Sequence, residues 1–245
     1  MKDNFSAQAK LYAGFRPHYP DALYDFLFEQ VENFDTALDC ATGNGQVAVK
    51  LAERFKEVHA TDISGRQLMH APQLPNIFYK QEAAEETSFA DDYFDMVTVA
   101  QAIHWFNFEK FYAEIKRILK TSGLLAVIGY GLIRINPAID AWTDHLYKNI
   151  IGPYWDRERK FIDEAYKTIP FSFKEIETPQ LCIKYKWGKE QFTGYLNTWS
   201  AFQHYIKANN ISPLSADLLQ QLNDVWPGGI KYSISFPLFL RAGNL

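Results

Sequence analysis

Apolar positions along the chain alternate between short, nearly continuous runs and a looser rhythm of one in every three or four. Leu23, Phe26, Leu27, Val31 and Phe34 follow Pro20 at helical spacing, with Asp21 placed to cap the helix. Residues 36–41 (TALDCA) form a short apolar run broken by TGNG, and Val47, Ala48, Leu51, Ala52 and Phe55 return to helical spacing. VHATD (58–62), part of NIFYKQEA (76–83) and FDMVTVA (94–100) predict three more strands. Phe108, Phe111, Tyr112, Ile115, Ile118 and Leu119 predict one helical face that stops at Thr121-Ser122-Gly123, after which LLAVIGYG (124–131) predicts a fifth strand.

Strands that alternate with helices imply right-handed crossovers and a parallel sheet covered on both faces, and the apolar continuity of these strands agrees. From about 136 to 170 the pattern turns helical and aromatic. LCIKYKW (181–187) reads as a strand, 190–225 as helices, and ISFPLFLRA (234–242) as a closing strand. Pro237 inside that last run predicts an edge position or a bulge, because proline cannot donate to a ladder.

Composition narrows the classes. Of 245 residues, 47% are hydrophobic and 22% charged, which excludes a disordered tail or a fibre. The net charge of −4 argues against nucleic acid as a partner, since phosphate neutralisation needs a basic face. The 16% aromatic content fits aromatic-lined pockets and an aromatic core equally. Cys40 and Cys182 read as buried free thiols of a cytoplasmic protein, and the polar opening of the chain offers no signal peptide. The apolar run 124–133 is too short to span a bilayer, so no membrane partner is expected. The histidines lack metal-ligand spacing, so no metal is expected.

The sharpest local feature is LDCATGNG (38–45): a strand ending near Asp39, a glycine turn, then a helix start. Glycine lets a ligand approach the backbone closely, and unpaired N–H groups at the helix start favour negative charge. Asp62 ends the second strand, where an acidic side chain can take both hydroxyls of a ribose. Ala48 occupies the place of the third glycine of the dinucleotide fingerprint, which disfavours an NAD-dependent oxidoreductase. Ahead of the first helix, Tyr12, Arg16 and Tyr19 lie in a stretch too polar for a core, and Arg16 could clamp a carboxylate of either a cofactor or an acceptor.

LDCATGNG, ATDIS, AAEETSF and FDMVTVAQAIHWFNFEKFYAEIKRILKTSGLLAVIGY together resemble the class I S-adenosylmethionine-dependent methyltransferases. Within them, AQAIHWF and the opening FSAQAKLYAGFRPHYP are similar to the small-molecule, trans-aconitate methyltransferase-like group. The resemblance covers 36–130 and the opening segment, and fits the C-terminal third more loosely through TWSAFQ and the closing strand. Ala41 departs from the family pattern, which has its first glycine there; a negative φ would make alanine tolerable.

The resemblance implies a Rossmann-like α/β fold: a doubly wound, seven-stranded, mostly parallel sheet with a helical insertion serving as a cap. It implies one domain over 1–245, with 1–35 as N-terminal lid and first helix, 36–130 as cofactor-binding core and 131–245 as helical cap and closing strands. It also implies methyl transfer from S-adenosyl-L-methionine to a small-molecule acceptor such as a carboxylic acid. Asp39, Ala41 and Gly43 would line the methionine end of the cofactor, Asp62 the ribose, and Ile63, Ala84 and Glu85 the adenine. Gln101 would cover the cofactor, with Tyr12 and Arg16 closing over it. Tyr19, His104, Trp105 and Trp199 are the acceptor-side candidates. His104 is the candidate catalytic residue, with the roles of base, acceptor contact and packing all open. A cofactor-binding regulator without catalysis is the alternative from another class.

Overall fold

The computed structural model describes Phe15 and residues 17–245. Helix α1 (Asp21–Glu29) precedes strand β1 (Thr36–Cys40), followed by α2 (Gln46–Leu51), β2 (Glu57–Asp62), α3 (Gly65–Leu68) and β3 (Ile77–Gln81). Strand β4 (Phe94–Ala100), α4 (Phe108–Ile118) and β5 (Leu119–Tyr130) complete the parallel core. An insertion follows: α5 (Pro137–His145), a π turn, a 3-10 turn and α6 (Arg159–Asp163). Strands β6 (Lys174–Glu175) and β7 (Cys182–Trp187) lead to helices α7 (Lys189–Asn197), α8 (Ser200–Asn209) and α9 (Ala216–Val225), and β8 (Tyr232–Asn244) closes the order.

The sheet runs β3-β2-β1-β4-β5-β8-β6, with β7 joined to β8. Neighbours from β3 to β5 are parallel, and β8 is antiparallel to each of its partners. This is the expected Rossmann-like, doubly wound α/β fold. It carries eight strands rather than seven because β6, only two residues long, leaves no periodic trace in the sequence. Alternate residues of the central strands enter two separate cores. Ala37, Met96, Leu124, Ala126 and Ile128 meet α1, α2 and the late helices, while Leu38, Cys40, Val97, Val99, Leu125 and Val127 meet α4 and the stretch 162–173. Phenylalanine and tyrosine rings fill much of both cores, with Phe111, Phe192, Phe202 and Phe236 fully buried. Cys40 is a buried free thiol, whereas Cys182 is only half-buried.

Several expectations require correction. Pro20, not Asp21, holds the cap position of α1; Asp21 stands in the first turn, and the helix ends before Val31 and Phe34. Leu119 leaves the face of α4 and opens β5 opposite Phe94, so Thr121–Gly123 lie within a strand. Pro237 is on no edge. It sits where β8 passes from β7 to β5, and the register slips by one residue between Tyr130↔Leu238 and Arg134↔Ser235. The bulge absorbs the missing donor, while the Pro237 carbonyl still accepts Gly131 N–H at 2.8 Å. Ala41 has φ +55°, in the left-handed region, against the negative value expected for alanine.

The strand order reverses between β1 and β4, and open α/β sheets place their ligands at the carboxyl ends of the strands beside such a switch point. The turn after β1 and the Gln101–Trp105 segment after β4 both emerge there.

Candidate active site

The turn after β1 is shaped from beneath. Asp39 is 1% exposed, and its carboxylate accepts Thr42 Oγ1 at 2.5 Å, Ala48 N at 3.0 Å and Thr98 Oγ1 at 3.0 Å. Burial pushes its pKa up to about 6, against these hydrogen bonds. The carboxylate thus fixes the turn rather than presenting itself above it. Ala41, Gly43 and Gly45 all adopt positive φ. The two glycines serve different ends: a Cβ on Gly45 would lie 2.6 Å from Tyr79 Oη, whereas a Cβ on Gly43 would meet no described atom within 4 Å. Among the described residues, the space above Gly43 is open, as a turn that receives a ligand against its backbone requires.

At the end of β2, Asp62 Oδ2 accepts Gly43 N–H at 2.9 Å and Oδ1 accepts Ser64 N–H at 2.8 Å. The carboxylate is held against the same glycine turn. Ile63 is tied to β3 through its carbonyl, which accepts Gln81 Nε2 at 2.8 Å. Ala84 is buried, and the Glu85 carboxylate accepts Asn107 N–H at 3.1 Å, joining the loop after β3 to the start of α4. Arg117 secures the rest of that loop by donating to the carbonyls of Thr87 and Phe89 and to the carboxylates of Asp91 and Glu114.

At the end of β4, Gln101 takes φ +54°, donates its backbone N–H to the Ile128 carbonyl at 2.8 Å and its amide to the Tyr130 carbonyl at 3.1 Å. A non-glycine residue in this conformation is strained, and such strain clusters at functional sites. His104 is 5% exposed; its Nδ1 pairs with Tyr166 Oη at 2.9 Å and its ring lies 4.8 Å from that of Trp105. Gln101, His104, Trp105 and Trp199 line one solvent-open cleft. The structure brings these four predicted residues together although nearly a hundred positions separate Trp105 from Trp199.

The cleft also holds residues that the sequence did not mark: Trp155, Asp156 and Arg159 from the insertion, and Tyr130 from β5. The run WDRER in the insertion is the signal that could have found them, an aromatic beside clustered charge. Tyr195 of α7 lines the cleft as well. Tyr19 does not; it is 9% exposed and packs behind Tyr130 at 6.2 Å between ring centroids. Tyr12 and Arg16 lie outside the described residues. A second hollow between Arg134, Lys184 and Ser235 sits on the β7–β8 ribbon and holds none of the strand-end residues. Among the described residues, no group of three or more His, Cys, Asp or Glu could hold a metal ion. No described helix is long and apolar enough to cross a membrane.

This sheet order, with a ligand-ready glycine turn after β1 and an acidic residue ending β2, defines the class I fold of S-adenosylmethionine-dependent methyltransferases. The family pattern described as a methyltransferase domain matches residues 38–127. A Dictyostelium discoideum protein named as a methyltransferase is 34% identical over 97% of this chain and 93% of its own. A Saccharomyces cerevisiae protein named as an S-adenosylmethionine-dependent methyltransferase is 21% identical over 91% of this chain and 89% of its own. A solved structure described as a type II methyltransferase from Anaeromyxobacter dehalogenans superposes with TM-score 0.86 at 36% identity, covering 94% of this chain and 98% of that one. The chain belongs to this methyltransferase family; it is an enzyme, and its cofactor is S-adenosyl-L-methionine.

Proposed function

We propose that this methyltransferase acts on a small-molecule acceptor, a carboxylic acid, in the manner of the trans-aconitate methyltransferase-like group it resembles. The observation that carries the reading is the cleft at the carboxyl end of β4, where aromatic walls converge on a few polar groups, as they do in small-molecule sites. The acidic net charge supports the same class over nucleic acid.

S-adenosylmethionine, when bound, supplies an electrophilic methyl group on a sulfonium. Asp62 would take the ribose hydroxyls, and Ile63, Ala84 and Glu85 would border the adenine. Ala41 and Gly43 would let the methionine end lie against the turn, whose shape Asp39 sets from below. Gln101, Tyr12 and Arg16 would close the cofactor side, with 1–35 serving as lid and first helix, 36–130 as core and 131–245 as cap of one catalytic unit. Trp105 and Trp199 would wall the acceptor, and Tyr19 would back Tyr130 on that side.

Methyl transfer rests chiefly on alignment of a nucleophile with the methyl group. His104, its ring fixed through Nδ1 by Tyr166, would set that alignment. A carboxylate needs no base, whereas a hydroxyl acceptor would pass its proton to a group such as this imidazole. The test is a panel of carboxylic acids, phenols and amines incubated with S-adenosylmethionine, with released S-adenosylhomocysteine as readout. Turnover is expected with carboxylic acids. Methylation of amines or nucleic acid alone would overturn the reading.

A further inference from the structure

Arg159 is a charged cleft residue whose chemistry the reading above leaves unused. Its guanidinium lies over Trp155, 4.5 Å from the ring centroid, and 5.2 Å from that of Tyr147. Its Nε donates to Tyr147 Oη at 2.6 Å and ion-pairs with Asp163 Oδ1 at 3.5 Å, and Tyr147 Oη donates onward to Asp163 Oδ1 at 2.6 Å. One of five donors therefore holds the side chain in place. The terminal nitrogens Nη1 and Nη2 donate to no described residue, although the side chain is only 20% exposed. Asp156 shares the wall, yet its carboxylate faces His204 Nδ1 at 4.0 Å and forms no ion pair with Arg159. A guanidinium clamped at its stem, lying over an indole and left with a donating fork is pre-organised for a planar anion, which it can grip through two parallel hydrogen bonds.

The other walls extend the argument. Trp105, Trp155 and Trp199 present indoles, joined by the rings of Tyr130 and Tyr195. Such surfaces favour a flat π-system over a branched aliphatic one. None of the residues on the turns after β1 and β2 lines this cleft, so the anion it awaits is the acceptor's and not the carboxylate of the cofactor.

We infer that Arg159 is the anion-binding residue of the acceptor cleft and that the acceptor is a flat, ring-bearing carboxylate. The inference rests on the reading of this cleft as the acceptor site.

The test compares binding of benzoate, trans-cinnamate and indole-3-acetate with that of their primary amides, by calorimetry and tryptophan fluorescence, on protein saturated with S-adenosylhomocysteine. Saturation is measured first and separately. Its failure would sink the cofactor assignment, and the carboxylate–amide comparison would then be read on the protein alone. At least one acid is expected to bind about 10- to 100-fold more tightly than its amide, the scale of a charged hydrogen-bond pair. Arg159→Met should erase that preference while leaving the affinity for S-adenosylhomocysteine unchanged. Arg159→Lys, which keeps the charge and most of the packing, should retain only a small part of it, and serves if the methionine variant does not fold. No preference above about twofold for any pair in the wild type, or a preference that survives both variants, would overturn the inference. A fall in S-adenosylhomocysteine affinity with acid binding intact would overturn it too, by giving the anion to the cofactor.

Discussion

Asp39 and Gly43 sit on opposite sides of one turn, and each has a distinct measurable consequence. Asp39 is fully enclosed and its carboxyl titrates near 6 in the folded protein instead of the ordinary 3.8. The folded state therefore holds this proton more tightly than the unfolded chain does. Its contribution to stability is fully present below pH 4 and is lost as pH rises through 6, by about 3 kcal/mol for a shift of roughly two units. Thermal and urea melts of the wild type and Asp39→Asn across pH 4–7 should show the wild type losing ground to the variant with rising pH. Gly43 faces open space at φ +57°. Gly43→Ala should cost the fold about 1–2 kcal/mol, for an L-residue in the left-handed region, yet weaken S-adenosylhomocysteine binding at least about tenfold. Calorimetry on the folded variant checks this, and unchanged affinity would mean that the turn does not face the cofactor. Both residues were legible in the sequence because a turn between a strand and a helix is a local matter. Ala41 was not, since its positive φ is imposed by the Asp39, Thr42 and Thr61 contacts around it. Trp155 and Arg159 escaped for a further reason: only the packing of the insertion brings them to the end of β4.

The loop between β3 and β4 has almost no secondary structure, and it keeps its shape through one side chain of a neighbouring helix. Arg117 donates to two carbonyls and the Asp91 carboxylate there and to Glu114 on its own helix, and Glu114 in turn accepts Thr87 N–H at 2.8 Å. Arg117→Ala strips the loop of these donors and should destabilise the protein by about 2–3 kcal/mol. Because Ala84 and Glu85 begin that loop, S-adenosylhomocysteine affinity should also fall several-fold, while Arg117→Lys recovers part of both. Denaturant titration and calorimetry read the two effects separately. Of the elements, β1, β4 and much of β5 were readable because each is a buried run bounded by polar residues, whereas β3 buries only Ile77. Strand β6 carries two exposed residues and no period. The early start of β5 was hidden because Leu119 satisfies a helical face in sequence while Phe94 pairs with it in space.

Over the whole chain, the cofactor should act as a stabiliser in proportion to its occupancy. S-adenosylhomocysteine at about 100 times its Kd should add about 2.7 kcal/mol, which for a protein of this size is about 5–10 °C in Tm. NADH at the same concentration should leave Tm unchanged; the reverse pattern would contradict the cofactor. The doubly wound plan was legible at this scale, since alternation of strand and helix dictates it. The place of β8 was not, because pairing across a hundred residues has no local signature. That placement has a consequence during synthesis. Strand β5 exposes Leu124–Ile128 along an unpaired edge until β8 arrives, and 131–231 must be translated in between. At about 5–20 residues per second, the nascent chain carries a sticky, half-finished sheet for about 5–20 s. Slowed elongation at that stage should favour aggregation, and chaperones that shield strand edges should raise the yield of active enzyme.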